Sequence, residues 1–306
     1  MTAQTLPGPP GSPAQAGPAL PTGGPSLSPS RAADFKTCPL LFRFRTIDKL
    51  QEQPSADQVR GTLVHAVLER LFDLPAAERT PAAAAALVEP SWAALLAEAD
   101  ATGQAALVEV PADDEAARLA AFLGSATALL DGYFAVEDPQ RLEPAERESL
   151  ISTMVDDSLL IRGYIDRLDI SPAGDLRVVD YKTGGAPREA FEGRALFQLK
   201  FYALVLWRTR GVVPRVLRLL YLKDSEVCDY SPDAEELERF ERTLVALSEA
   251  IERAKREQDF RPKPSRLCGW CSYQALCPEF GGTPPPFPAD EPVNIDLTPA
   301  DDDRLG

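Results

Sequence analysis

Val59, Leu63, Val67, Leu68, Leu71 and Phe72 recur at the three-to-four-residue spacing of one helix face, so the chain from 59 to 72 is expected to form an amphipathic helix. His65 and Glu69 then stand one turn apart at the margin of that face, where the sole histidine of the chain can be presented to a cleft. Residues 81–99 and 114–134 are rich in Ala and Leu with the same period. They predict a helical layer, interrupted at Pro90 and Pro111, where the proline ring removes an N–H donor.

Past residue 146 the pattern changes. Residues 147–155, 159–170 and 175–182 are dense in Ile, Val, Leu and Tyr, and Pro172-Ala173-Gly174-Asp175 supplies a turn between the second and third of these strands. A helix is expected at about 195–209, strands near 215–223 and 226–230, and a long charged helix over 233–257. Strands bracketed by helices on both sides predict an α/β fold with a mixed central sheet.

The two ends carry no such pattern. Residues 1–30 have no charged side chain and are crowded with Pro, Gly and Ser, and the chain after 280 is Pro-rich and then acidic. The expected organisation is a disordered tail over 1–27, one folded unit over 28–280 and a second disordered tail over 281–306. Within the folded unit, 81–140 reads as an acidic helical insertion and 260–280 as a cysteine-bearing segment.

The net charge of −15 argues against a nucleic-acid partner until its distribution is considered. Residues 81–150 hold thirteen acidic and three basic side chains, and residues 281–306 hold six and one, whereas 31–80 and 151–280 are within one charge of neutral. The acidity lies mostly outside the segments that bear candidate chemistry. No run approaches eighteen apolar residues, and the first residues lack the basic start and apolar stretch of a secretory signal, so no membrane association and a cytoplasmic location are expected. Five cysteines in such a chain suggest metal binding rather than a disulfide framework. Cys268, Cys271 and Cys277 stand as C-x2-C-x5-C, Cys38 is a distant fourth thiol, and Cys228 is left over as a buried strand thiol.

In Asp180-Tyr181-Lys182 the alternation of a strand sends the carboxylate and the ammonium to one face and Tyr181 to the other. Folding the hairpin about its Pro-Gly turn brings Asp166 alongside Asp180. Two carboxylates and an imidazole make a hard site suited to magnesium or manganese, which activates water and stabilises charge on a phosphoryl oxygen. Taken singly, each piece has an ordinary structural explanation: a solvated D-x-K pair, a core histidine, a polar turn. Their order along the chain is more informative.

Gly61-Thr62-Leu63-Val64-His65, then Gly163-Tyr164-Ile165-Asp166-Arg167, then Val179-Asp180-Tyr181-Lys182-Thr183-Gly184, then Gln198 and Tyr202 as Q-x3-Y, resemble the successive motifs of the RecB-like exonucleases of the PD-(D/E)XK nuclease superfamily, whose fold is restriction-endonuclease-like. Cys38-Pro39, Cys268-Gly269-Trp270-Cys271 and Cys277-Pro278 resemble the iron-sulfur branch of that family, shared by the AddB nuclease domain and CRISPR-associated exonucleases. The resemblance implies that His65, Asp166 and Asp180 bind Mg2+ or Mn2+, with the Tyr181 backbone carbonyl completing the shell. Lys182 would act on the attacking water, Gln198 and Tyr202 would position the DNA strand, and Glu148 would have a supporting role.

Cys38, Cys268, Cys271 and Cys277 would hold a [4Fe–4S] cluster that clasps the N- and C-terminal segments, with structural zinc as the alternative. The implied activity is exonucleolytic hydrolysis of DNA, on single-stranded ends, in repair or recombination, with a helicase or recombination partner supplying any unwinding. Two rivals are a non-catalytic DNA-end-binding or scaffold subunit and a zinc-stabilised hydrolase of another phosphoester.

Overall fold

The computed structural model describes residues 24–102, 115–156, 158–186 and 192–288. The helix expected around His65 is α3, Ala56–Leu71, which opens on a capping box between Ser55 and Gln58 and buries Leu63, Val64, Val67, Leu68 and Leu71. That stripe is what fixes its rotation, and with it the direction of His65. The helical layer consists of α4, Pro81–Thr102, and α5, Glu115–Val136. Contrary to expectation α4 runs through Pro90. The ring lies on the exposed side, where water can satisfy the carbonyl left without a donor, and the buried side of Ala84, Val88 and Trp92 is continuous. Pro111 falls outside the described residues.

Strands β2 (Glu146–Val155), β3 (Leu159–Ile170) and β4 (Leu176–Lys182) form an antiparallel meander. Helix α6, Glu192–Arg210, then crosses over so that β5 (Val216–Tyr221) lies parallel to β4, and β6 (Glu226–Tyr230) returns antiparallel at the edge. Helix α7, Ala234–Glu257, is capped by Asp233, carries Glu235 and Glu236 in its first turn and Lys255 and Arg256 in its last, and ends on Gln258 in the left-handed region. Both charge placements complement the helix dipole.

One face of the sheet, through Val179, Tyr181, Leu220 and Leu222, packs with α3, α4 and α5. Val178, Leu217 and Leu219 join the second core with residues of α6 and α7. Residues 116–136 of α5 are long and apolar enough to span a membrane by length and composition, a property masked in the sequence by interspersed Gly, Ser and Thr. In the fold this helix turns Ala126, Leu129, Leu130 and Tyr133 into the core beneath α3 and α4.

Both ends of the folded unit extend further than expected. Ser26–Leu27 forms β1, which pairs in parallel with Leu160 and Ile161 of β3, and Leu27 is buried. The chain then enters α1, Pro29–Thr37, capped by the Ser28 hydroxyl, followed by α2, Pro39–Phe42, and a π-helical turn over Arg43–Ile47. At the other end Phe287 stacks on Phe260, and Arg43 donates to the Pro285 carbonyl. Residues 24–27 and 281–288 therefore belong with the folded unit and not with tails: a two-residue strand and a lone aromatic are too short to leave a periodic signal. The expected tails over 1–23 and 289–306 lie outside the described residues.

Candidate active site

The register of β3 and β4, with Arg167 opposite Val179 and Leu168 opposite Val178, sets Asp166 across from Asp180. The Asp166 carboxylate is held by the backbone: Tyr181 N–H donates to its Oδ2 at 2.7 Å. One atom pair away, His65 Nε2–H donates to the Tyr181 carbonyl at 3.0 Å, which turns Nδ1 toward the carboxylates. Nδ1 lies 3.6 Å from Asp166 Oδ2 and 3.7 Å from Glu148 Oε1. The peptide units flanking Tyr181 thus aim two of the expected ligands. Its carbonyl, expected in the metal shell, here orients the imidazole.

Glu148 holds a larger place than the supporting role expected of it. His65, Glu148 and Asp166 are the one group of three or more ligand-type side chains, among the described residues, whose ligand atoms all lie within 4.8 Å of each other. Glu148 has φ +41° near the start of β2, opposite Asp166, where the ladder is locally interrupted. A non-glycine residue in that region carries backbone strain, which persists only where surrounding contacts impose it. Nothing in the residues near 148 announces a left-handed turn inside a strand, so the sequence gives little sign of it.

Asp180, expected as a ligand, stands just outside that triad. It is 1% exposed, and its Oδ2 lies 2.9 Å from Lys182 Nζ. Lys182 Nζ also donates to Gln198 Oε1 at 2.9 Å, and Gln198 Nε2 donates to the Tyr202 hydroxyl at 2.9 Å. Lys182 is thereby suspended between β4 and α6. Gly163 explains itself here: a Cβ at that position would approach Tyr202 Cε1 to 2.7 Å, so a side chain would displace the ring that ends this relay.

Donor chemistry and spacing both fit a hard divalent cation. Ligands bound at ~2.1 Å stand ~3 Å apart when adjacent and ~4.2 Å apart when opposed, and the separations of 3.6 and 3.7 Å fall between these limits. The electrostatics agree. Burial alone would depress the His65 imidazolium, yet Asp166, Glu148 and Asp180 outweigh it and raise its pKa to about 9. Burial, with Asp180 and Glu148 adding repulsion, raises Asp166 to about 7 against the opposing pull of His65 and Lys182. The pocket carries more negative charge than its own cations balance.

A pH dependence follows from these shifts. Both groups have folded-state values above their ordinary ones, 6.5 for His65 and 3.8 for Asp166, so each contributes stability that is fully present below the ordinary value and lost as pH rises through the folded value. With metal removed by chelator, the melting temperature is expected to fall across pH 4 to 9. Adding Mg2+ or Mn2+ should flatten or reverse that slope, because cation binding needs the deprotonated ligands. A chelated protein whose melting temperature rises from pH 6 to 9 would contradict the arrangement.

The cysteines behave differently from the triad. Cys38, Cys268, Cys271 and Cys277 are half-buried and not disulfide-bonded, and no three of them reach the 4.8 Å spacing of the triad. Cys38 Sγ accepts from Lys263 N–H at 3.4 Å, and Cys268 Sγ accepts from Ser265 N–H at 3.2 Å. Burial first, and then the neighbouring Cys38, Cys277 and Cys268, push the Cys271 thiol up. The four are neighbours without the close grouping of the triad. Cys228 lies on β6, half-buried and apart from these contacts.

Paired acids on a strand hairpin, a lysine two residues beyond the second and an imidazole from a flanking helix are thus set together on a mixed α/β sheet. The chain belongs to the PD-(D/E)XK nuclease superfamily, whose family model matches residues 26–278. It is similar to the gene 69 proteins of Mycobacterium phages D29 and L5, with 32% identity over 130 residues and 30% over 127. The match takes in 40% of this chain in each case and 45% and 41% of the phage proteins, so the chain spans less than half the length of these curated relatives. A solved candidate exonuclease from Eubacterium rectale shares the fold, with a TM-score of 0.50 at 10% identity over 90% of this chain and 93% of that one.

Proposed function

We propose that this protein is a RecB-like DNA exonuclease that hydrolyses phosphodiester bonds at single-stranded ends, with Mg2+ or Mn2+ as cofactor, in DNA repair or recombination. The observation that carries the reading is the placement of Lys182 between Asp180 and Gln198, beside the His65, Glu148 and Asp166 triad. A bound divalent cation would supply a water of lowered pKa and would offset charge on the phosphoryl oxygen. His65 Nδ1, Asp166 and Glu148 would hold it, with Asp180 adding charge from the next position. Lys182, its ammonium fixed by Asp180 and Gln198, would orient the attacking water and offset charge in the transition state. Gln198 and Tyr202 would line the path of the strand. The exonuclease assignment draws further support from the E. rectale fold neighbour.

For the cysteines we favour a [4Fe–4S] cluster joining the segment around Cys38 to the segment after α7. The ground is the resemblance of Cys38-Pro39, Cys268-Gly269-Trp270-Cys271 and Cys277-Pro278 to the iron-sulfur branch of the family, and structural zinc is the alternative. An ultraviolet-visible spectrum and metal analysis of anaerobically purified protein would separate iron from zinc.

The test of function is a degradation time course on 5′- and 3′-labelled single- and double-stranded DNA, with Mg2+, Mn2+ or chelator. Metal-dependent shortening of single strands from an end is the expected result. DNA-end binding with no cleavage at any metal concentration would favour the scaffold reading, and attack on closed circles would replace the exonuclease with an endonuclease.

A further inference from the structure

Among the described residues, the largest fully buried side chain is a charged one. Arg167 is 0% exposed, and its Nη1 and Nη2 atoms donate to side chains just beyond α5, on β3 and on β4. Nη1 and Nη2 make a two-pronged pair with Glu137, just past the end of α5, at 2.6 and 2.8 Å. Nε and Nη2 reach Asp169 on β3 at 3.1 and 3.2 Å, and Nη1 donates to the Tyr181 hydroxyl on β4 at 2.9 Å. Tyr133 of α5 closes the other side of the Tyr181 ring edge-on, with centroids 5.9 Å apart.

Stability is a weak reason for such a pair. Desolvating an arginine and a carboxylate costs several kcal/mol, and well-packed apolar replacements of similar volume are often neutral or better. What the pair does fix is a position: a planar fork held by Glu137 and Asp169 aims Nη1 at the Tyr181 hydroxyl and so fixes that side chain. Tyr181 is also the residue whose peptide N–H holds Asp166 and whose carbonyl holds His65. We propose that Glu137 and Arg167 are positioning residues for the metal site, acting through Tyr181, so that the end of the helical layer sets the geometry of the ligands on the hairpin. This inference rests on the metal-site reading above.

Tyr181→Phe is the decisive variant. It removes one oxygen, keeps the ring in its packing and leaves Arg167 Nη1 still paired to Glu137. The folded protein is expected to melt within a few degrees of the parent, to bind Mn2+ about 3–10-fold more weakly by calorimetry without DNA, less than the roughly 10–100-fold typical of groups touching a ligand directly, and to keep its KM for DNA. The deficit in kcat should shrink as metal is raised. Glu137→Gln, which keeps shape and loses charge, should weaken Mn2+ binding in the same direction.

Asp180→Asn serves as the reference. If it loses Mn2+ affinity while Tyr181→Phe and Glu137→Gln both retain the parent value, the positioning role is overturned and the site reading stands. If Asp180→Asn also binds Mn2+ like the parent, the site reading falls and this inference with it.

Discussion

Asp180→Asn is expected to reduce metal-dependent DNA cleavage by on the order of 10³-fold while leaving the fold and DNA binding in place. The exchange is isosteric at a position that is 1% exposed, so packing hardly changes. What changes is charge. Asp180 neighbours Lys182 at 2.9 Å and is one of the carboxylates that raise the His65 pKa. Without it the ammonium loses its ionic anchor and keeps only Gln198, and the pocket loses part of the attraction that would concentrate a dication. DNA affinity should hold or rise, because one negative charge facing the phosphate is gone. Turnover of labelled single strands at saturating Mg2+ is the measurement, and undiminished activity in a clean preparation would sink the assignment.

The second large effect is on stability and lies away from the ligands. Gly132, inside α5, packs so closely on the strand layer that a Cβ there would stand 1.9 Å from the Leu222 carbonyl oxygen. Gly132→Ala gains helix propensity of at most ~1 kcal/mol. It also forces backbone against backbone, for which the upper end of overpacking costs, about 3 kcal/mol, is appropriate. The clash wins by about 2 kcal/mol, and the melting temperature is expected to drop by roughly 4–8 °C for a domain of this size. Leu222 N–H donates to the Lys182 carbonyl at 2.9 Å, so any retreat of that strand end also disturbs the lysine. A variant that melts with the parent would show that α5 moves freely over the sheet.

Most of the scaffold was legible because its signals are local. Alternation placed Asp180 and Lys182 together, the Pro-Gly turn set β3 against β4, and helical spacing put His65 at the margin of α3. What stayed hidden depends on distant partners. Glu148 gains its importance from a left-handed kink imposed by the strand opposite. Arg167 reads in the sequence as a polar neighbour of Asp166, and only folding brings Glu137 from thirty residues upstream into its grasp. Residues 26–27 and 287 were assigned to tails because a strand of two residues and one aromatic ring have no period to detect.

The pairing of β1 with β3 has a consequence in time. Ser26 and Leu27 are made early but have no sheet to join until Leu160 and Ile161 follow, which at ribosomal rates of roughly 5–20 residues per second is roughly 7–27 s later. Phe42 waits longer still, since its stacking partner is Phe260, and Phe260 is in turn covered by Phe287. Until then this stretch of the nascent chain displays Leu40, Phe42 and Phe44, all buried in the finished fold, to the surrounding medium. It is a natural station for a holding chaperone until Phe260 and Phe287 have been made.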